Sequence, residues 1–381
     1  MPDKGIPYVR IYDTTLREGE QSPLLRVTPE RKLKVIEILD KLGVDIIEAG
    51  FPRAQPSDVY VYKEARNIVS RSQLSGFARA VKGDIDLVSE SKADIVQIFI
   101  PGSDIHIQTM MGAPRSVVYD KLSEAVSYAS SKGLLVYIAV TDAPRTGLEE
   151  LRRIARMAYR LGVEELVLAD TVGVALPGDI SKIVSTVLEE GVENVGLHLH
   201  NDLGLATCNA LAGIRAGARE VQVTMGGFGE RLGNTPLEEI ATIARVKGLF
   251  RTGINYSNLV PSIRRALEIL GAPVYPLKPI IGDYAFLHVS DIHVYSTLKH
   301  PGSFDPFDPE IIGGSRVVRF GKLTGPRSVK LVLERNGIKV SDDEARLIAK
   351  ELRDTYDKVD ALDEAGLVEF ARTILSRVRG S

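Results

Sequence analysis

The sequence predicts an α/β fold: a closed (β/α)8 barrel followed by a mostly helical C-terminal appendage. Three observations carry this. From residue 8 to about 250 one pattern recurs, a short β-branched run, a turn and an amphipathic helical stretch. The runs are too apolar to have one wet face, so each strand is covered on both sides and the sheet is parallel. Eight such units in about 250 residues is the span of a closed barrel. A doubly wound open sheet competes with it, and the count of eight favours closure.

In chain order, the strand-like runs are 8–12, 45–49, 74–79, 95–100, 134–140, 165–169, 194–200 and 220–224. The helical stretches between them lie near 29–42, 57–70, 82–91, 115–132, 147–161, 178–190, 203–217 and 236–249. Past about 255 the pattern changes. Residues 272–287 are rich in Pro, Gly and aromatics, and 300–314 (HPGSFDPFDPEIIGG) is loop-like for the same reason. Helices follow near 325–337, 341–356 and 359–378, the second opening on Ser341-Asp342-Asp343-Glu344, a capping-box pattern. The expected organisation is a barrel over 1–255, a linking subdomain over 256–325 and a small helical subdomain over 326–381.

Composition narrows the function classes. The chain has 381 residues, 44% hydrophobic and 26% charged, which excludes wholesale disorder. A formal charge of -2 leaves no electrostatic footprint for nucleic acid or an anionic membrane. The lone Cys208 excludes a disulfide framework and a cysteine-rich metal cluster, and its helical surroundings of Ala206, Ala210 and Leu211 predict a core position. Without an apolar run long enough to span a bilayer, and with a polar start, the expected location is cytoplasmic.

In a barrel the reactive groups collect at the C-terminal ends of the strands. Polar side chains fall there on every strand: Asp13, Thr14, Arg17, Glu18 and Gln21, then Glu48, Arg79, His106, Thr141 and Asp142, Asp170 and Thr171, His198 and His200, and finally Glu230, Arg231 and Asn234. Strand periodicity puts His198 and His200 on one side of the chain, able to face one point. Two imidazoles with a carboxylate such as Glu18 suit a divalent transition metal with positions left open for substrate. The alternative for an isolated His-Leu-His is a pair of hydrogen-bonded rim histidines. Arg17 suits an anionic substrate through its planar fork, or a resting salt bridge to Asp13 or Glu48. The glycine-rich turn 226–234 permits close backbone approach to a ligand. His300, beside Pro301, is expected to be solvated. No Lys ends a strand and no GxGxxG follows the first one, which argues against Schiff-base and dinucleotide chemistry.

Asp13-Thr-Thr-Leu-Arg17-Glu18-Gly-Glu-Gln21, His198-Leu-His200-Asn201-Asp202 and Gly229-Glu230-Arg231-Leu-Gly-Asn234 together resemble the 2-isopropylmalate, homocitrate and citramalate synthases, metal-dependent TIM-barrel enzymes related to hydroxymethylglutaryl-CoA lyase. The resemblance runs from about residue 8 to 350 and leaves no room for the regulatory domain many members carry. It implies condensation of acetyl-CoA with a 2-oxo acid and hydrolysis of the thioester, in lysine or leucine biosynthesis. It implies a divalent cation (Zn, Mg or Mn) on Glu18, His198 and His200 with Asn234 close by. Arg17, anchored by Glu48, would neutralise charge on the keto oxygen, and Thr171 would hold the substrate carboxylate. Glu230 and His293 join Arg17 and Glu48 as catalytic candidates, and Gln21, Arg79, His106 and Arg145 join Arg17 and Thr171 as substrate contacts. His288-Val-Ser-Asp291-Ile-His293 matches a segment that reaches the partner's barrel in the family, which implies a homodimer.

Three positions depart from the family pattern. Thr141 stands where a glutamate is expected, although Asp142 and Arg145 remain. Phe304 stands for the tyrosine that partners the catalytic histidine, with Tyr295 as a possible substitute. Tyr137 and Ala139 replace the Arg and Ser with which homocitrate synthases grip a distal carboxylate, leaving Arg79 and Arg145 as cations for that task. Lys322-Leu-Thr-Gly325 resembles the homocitrate branch and Phe77-Ala-Arg-Ala-Val81 the isopropylmalate branch. A lyase running the reverse reaction is disfavoured because 226–234 lacks the cysteine those enzymes carry. A non-catalytic paralogue that keeps only the metal is the remaining alternative.

Overall fold

Eight parallel strands close into a barrel in chain order: β1 (Arg10–Asp13), β2 (Ile46–Glu48), β3 (Gln73–Arg79), β4 (Ile95–Pro101), β5 (Leu135–Thr141), β6 (Glu165–Asp170), β7 (Val195–Leu199) and β8 (Glu220–Val223). This computed structural model describes residues 5–355 and 361–380. Closure is made by β1 against β8, with Arg10 opposite Glu220 and Asp13 opposite Val223. The open-sheet alternative is thereby excluded. Tyr12, Ile46, Ile95, Tyr137, Ala139 and Val167 fill the barrel interior, with Phe99 packed against them. Because the strands are apolar on both faces, the helices cover one and this plug the other.

Helices separate the strands as the periodicity predicts, and further helices join them. The helix Pro29–Leu42 is capped by Thr28, whose hydroxyl accepts from Arg31 N at 3.4 Å, and it stops at Gly43 with φ 94°. A Cβ on Gly43 would lie 2.3 Å from the Gly253 carbonyl, so only glycine fits that turn. An unanticipated helix, Asp104–Met110, follows β4; Ser103 caps it by accepting from His106 N at 3.3 Å. A second, Leu259–Leu270, buries Leu259, Val260, Ile263, Ala266, Leu267 and Leu270. That stripe has helical spacing, and Pro261 falls in the first turn, where a helix tolerates it, so this helix lies within the span expected as a linking subdomain. The expected core position of Cys208 is corrected: the helix Ala206–Ala216 buries Ala206, Asn209, Ala210, Gly213 and Ile214, and Cys208 points off that face to solvent.

The chain divides into two compact units, Met1–Val274 and Tyr275–Ser381. The second packs helices Asp291–Lys299, Pro326–Arg335, Asp342–Thr355 and Glu364–Arg379 around Val329, Val332, Leu333, Ile348, Ala349, Leu352, Leu367 and Ala371. The capping box forms: Glu344 N donates to Ser341 Oγ at 3.2 Å, and Ser341 N donates to the Glu344 carboxylate at 2.7 Å. The expected start of the last helix near 359 lies outside the described residues. Two short parallel strands, Leu287–His288 and Val317–Val318, complete the unit. Among the described residues no helix is long and apolar enough to cross a membrane.

Candidate metal centre and reaction cleft

The turn after β1 brings the first two site residues to the barrel mouth. Asp13 ends the strand and accepts from Thr15 N and Thr15 Oγ1, both at 2.9 Å. The Thr15 hydroxyl oxygen in turn accepts from Met225 N at 2.8 Å, tying the turn to the segment after β8. The single-turn helix Thr15–Glu18 then buries Arg17 and Glu18. Two strands round the barrel from β1, β7 delivers His198, and His200 forms an isolated bridge with Asn234.

Glu18, His198 and His200 meet. One potential ligand atom from each lies within 4.8 Å of the other two, and all three residues are buried. Glu18 Oε1 is 3.2 Å from His198 Nε2. Asn234 Nδ2 is 3.4 Å from the same nitrogen. Glu18 Oε2, His200 Nδ1 and Asn234 Oδ1 are buried without a hydrogen-bond partner. Buried polar atoms are costly to leave unpaired, and this trio has the donor chemistry of a divalent cation site. The glycine-rich turn makes room for it. A Cβ on Gly229 would fall 2.0 Å from Asn234 Oδ1 and 3.4 Å from Glu18 Oε2. The residues present therefore fit the expected cation.

Arg17 is locked beside this centre. Its Nη1 lies 2.6 Å from Glu18 Oε1, its Nε donates to Glu48 Oε2, and its guanidinium carbon sits 4.3 Å from the centre of the Phe77 ring. The resting partners are thus Glu48 and Glu18; Asp13 is spent on Thr15. Burial would raise the Glu18 carboxyl, but Arg17 first and then His198 and His200 outweigh it and hold it far below the usual carboxylate range. Burial and the neighbouring His198 pull His200 down to about 4, so its ring is neutral at physiological pH.

A cleft of about 240 Å³ opens over the centre, lined by the ligand trio's Glu18, His198 and His200 and by Arg17, Gln21 and His106 among others. Thr171 and Thr141 also line it. Thr171 Oγ1 accepts from Asp142 N at 2.9 Å, which leaves its own proton free to donate into the cleft. His106 Nδ1 lies 2.9 Å from Thr141 Oγ1. Phe77, Phe99, Met110 and Ala139 give the cleft an apolar part beside the polar Gln97, His106 and Thr141. Phe77 and Phe99 stack at 4.7 Å, and Phe51 meets both edge-on.

Besides Asn234, five expected site residues are not among those lining this cleft. Arg79 turns its fork onto Asp84, with contacts of 2.7 and 2.9 Å, and borders a neighbouring hollow. Arg145 is held by Asp142 at 2.8 and 3.0 Å. Glu230 is half-buried outside the lining residues. Glu48 is fully buried behind Arg17. His293 belongs to the second unit, where its ring stacks on Phe304 at 4.0 Å. Sequence reasoning missed Gln97 and Gln222, both buried in the barrel beside the centre. Their signal was available: a lone amide inside each of the apolar runs Ile95-Val-Gln-Ile-Phe-Ile100 and Val221-Gln-Val223.

Comparison with known proteins agrees with this geometry. A family described as HMGL-like matches residues 8–265, and one described as homocitrate synthase post-HMGL domain-like matches 280–360. The chain is 38% identical over 349 residues to the 2-isopropylmalate synthase of Sulfurisphaera tokodaii, covering 91% of this chain and 90% of that one. It is 36% identical over 371 residues to a putative (R)-citramalate synthase of Methanopyrus kandleri, covering 97% and 73%. A homocitrate synthase of the same organism is 34% identical over 377 residues, covering 98% and 94%. Among solved structures, an HMG-CoA lyase from Acinetobacter baumannii in complex with coenzyme A and 3-methylmalate superposes with a TM-score of 0.63 at 24% identity, covering 72% and 94%. The protein belongs to the superfamily of metal-dependent TIM-barrel enzymes that unites HMG-CoA lyase with the 2-isopropylmalate, homocitrate and citramalate synthases.

Proposed function

We propose that the chain is an acyltransferase that condenses acetyl-CoA with a 2-oxo acid and hydrolyses the resulting thioester. The observation that carries this is the unpaired trio Glu18 Oε2, His200 Nδ1 and Asn234 Oδ1 beside Arg17, under a cleft sized for a small acid. Glu18, His198, His200 and Asn234 would hold the divalent cation, which when bound supplies Lewis acidity toward a keto oxygen. Arg17 places a fixed positive charge where that oxygen gains negative charge, and Glu48 and Phe77 keep it there. The free proton of Thr171 binds the substrate carboxylate. In the overall reaction the acetyl methyl loses a proton, its carbon bonds to the keto carbon, and the keto oxygen becomes a hydroxyl. Water then cleaves the thioester and releases the thiol of CoA. Glu230 and His293 are the proposed proton-transfer groups, His293 acting from the partner of a homodimer.

The cleft supports a 2-oxo acid with a short apolar chain. Phe77, Phe99, Met110 and Ala139 form the apolar part of the lining that the chain would meet, and Arg79 and Arg145 are engaged elsewhere. A distal carboxylate would be desolvated against it without a dedicated cation. A second reading, 2-oxoglutarate with its far end at His106, rests on His106 lining the cleft and on the homocitrate-type match over 280–360. The test supplies acetyl-CoA and Zn, Mg or Mn with pyruvate, 2-oxoisovalerate or 2-oxoglutarate in turn and reads thiol release. Turnover is expected with one of the first two. Preference for 2-oxoglutarate selects the second reading, and no thiol with any acid removes the synthase assignment.

A further inference from the structure

Inside the barrel, a closed ring of polar contacts runs from Glu48 to the metal centre and back. Glu48 Oε2 takes Arg17 Nε, and Arg17 Nη1 reaches Glu18 Oε1. Glu18 Oε1 faces His198 Nε2 at 3.2 Å. On the other side, Gln97 Nε2 donates to Glu48 Oε1 at 3.3 Å, Gln222 Nε2 donates to Gln97 Oε1 at 2.5 Å, and Gln222 Oε1 lies 3.0 Å from His198 Nδ1. Gln97 and Gln222 are each about 1% exposed, and Gln97 also borders the cleft.

The ring has only one self-consistent direction. A carboxylate paired with Arg17 offers no hydrogen, so Gln97 must turn its NH2 toward Glu48. Its carbonyl then faces Gln222 and requires the NH2 of that amide. The Gln222 carbonyl is left facing His198 Nδ1, which must therefore carry a hydrogen. Reversing either amide would oppose two acceptors or two donors at hydrogen-bond distance in a buried site.

We propose that Gln97 and Gln222 are positioning residues that transmit the acceptor character of Glu48 to His198, holding a hydrogen on Nδ1 so that Nε2, which Asn234 Nδ2 approaches at 3.4 Å, is the nitrogen left for a cation. This rests on the metal-site reading above. The same carboxylate thereby orients Arg17 on one side and a metal-ligating imidazole on the other. Neither glutamine need touch substrate to do so. An imidazole whose far nitrogen is held by a hydrogen bond is the arrangement that sharpens a ligand's aim, and loss of such a partner lowers metal affinity by roughly 10–100-fold.

The test uses full-length chain labelled with 15N-histidine and stripped of metal by a chelator. Long-range 1H–15N spectra distinguish the two tautomers of each of the six histidines, and His198 is assigned by its disappearance in His198→Gln. The expected wild-type result is a hydrogen on Nδ1, whether or not Nε2 also carries one toward Glu18. In Gln97→Leu, or in Gln222→Leu, the Nε2–H form should rise, since it can donate to Glu18, and Zn or Mn affinity should fall by roughly 10–100-fold. A wild-type ring with its hydrogen on Nε2 alone, or a Gln97→Leu protein that keeps the hydrogen on Nδ1 and full affinity, overturns the proposal. The tautomer is read without metal, so a chain with the expected tautomer that binds no cation would defeat the metal-site reading and leave the relay standing.

Discussion

His200 sits at the end of a strand, buried, with its Nδ1 unpaired and its ring kept neutral by burial and by His198. A neutral, buried, unsatisfied imidazole gains nothing for the fold by itself and has a lone pair to offer. Replacing it therefore separates chemistry from stability. His200→Ala is expected to abolish divalent cation binding, read by calorimetry, while the far-ultraviolet dichroism and unfolding midpoint stay close to wild type. Retained cation affinity would contradict its role as a ligand. Arg17 shows the complementary case: two carboxylates and an aromatic face fix its fork, so its position is a property of Glu18, Glu48 and Phe77 together. Cys208, by contrast, shows how one residue's neighbours in sequence mislead when the buried stripe of its helix runs one position away.

The turn between β1 and the helix Thr15–Glu18 depends on Asp13, and that dependence has a pH signature. Burial pushes the Asp13 carboxyl up to about 7; the two hydrogen bonds from Thr15 oppose this, and Glu48 and Glu238 add to it. A carboxyl whose folded value is raised stabilises the fold below its unfolded value near 3.8, and that contribution is lost as pH rises toward about 7. The change is on the order of 4 kcal/mol. Asp13→Asn should flatten this part of the slope, measured by urea unfolding of chelated protein from pH 4 to 8. An unchanged slope would assign the titration to another group. The obvious rival lies at the opposite end of the barrel, where burial raises Glu220 of β8 to about 7 against the opposing charge of Arg10, and holds Glu165 of β6 high as well.

At the scale of the molecule, the proposal that His293 works in a partner's barrel makes a prediction no single-site variant can imitate. His200→Ala and His293→Ala should each be inactive. Mixed after mild dissociation, they form heterodimers with one intact site, built from the barrel of one chain and the histidine of the other. A two-fold dimer re-forming at random should recover about a quarter of wild-type activity. No recovery, with heterodimers demonstrated by sedimentation or mass spectrometry, would place His293 outside the partner's site.

The eight βα units, the barrel class, and the meeting of Glu18 with His198 and His200 were legible in the sequence. Each is written locally, in apolar runs of strand length and in strand periodicity, and barrel closure then carries every strand end to one rim. Other features depended on contacts between residues far apart in the chain. Arg79 and Arg145 were candidate cations from their strand-end positions, and only the fold pairs them with Asp84 and Asp142. Gln97 and Gln222 are 125 positions apart, and their partnership exists only because β4 and β8 face each other across the barrel interior. Local pattern determines which face of an element is buried; which polar group meets which inside that core is set by closure, where each unpaired atom needs a partner and only distant residues can supply it.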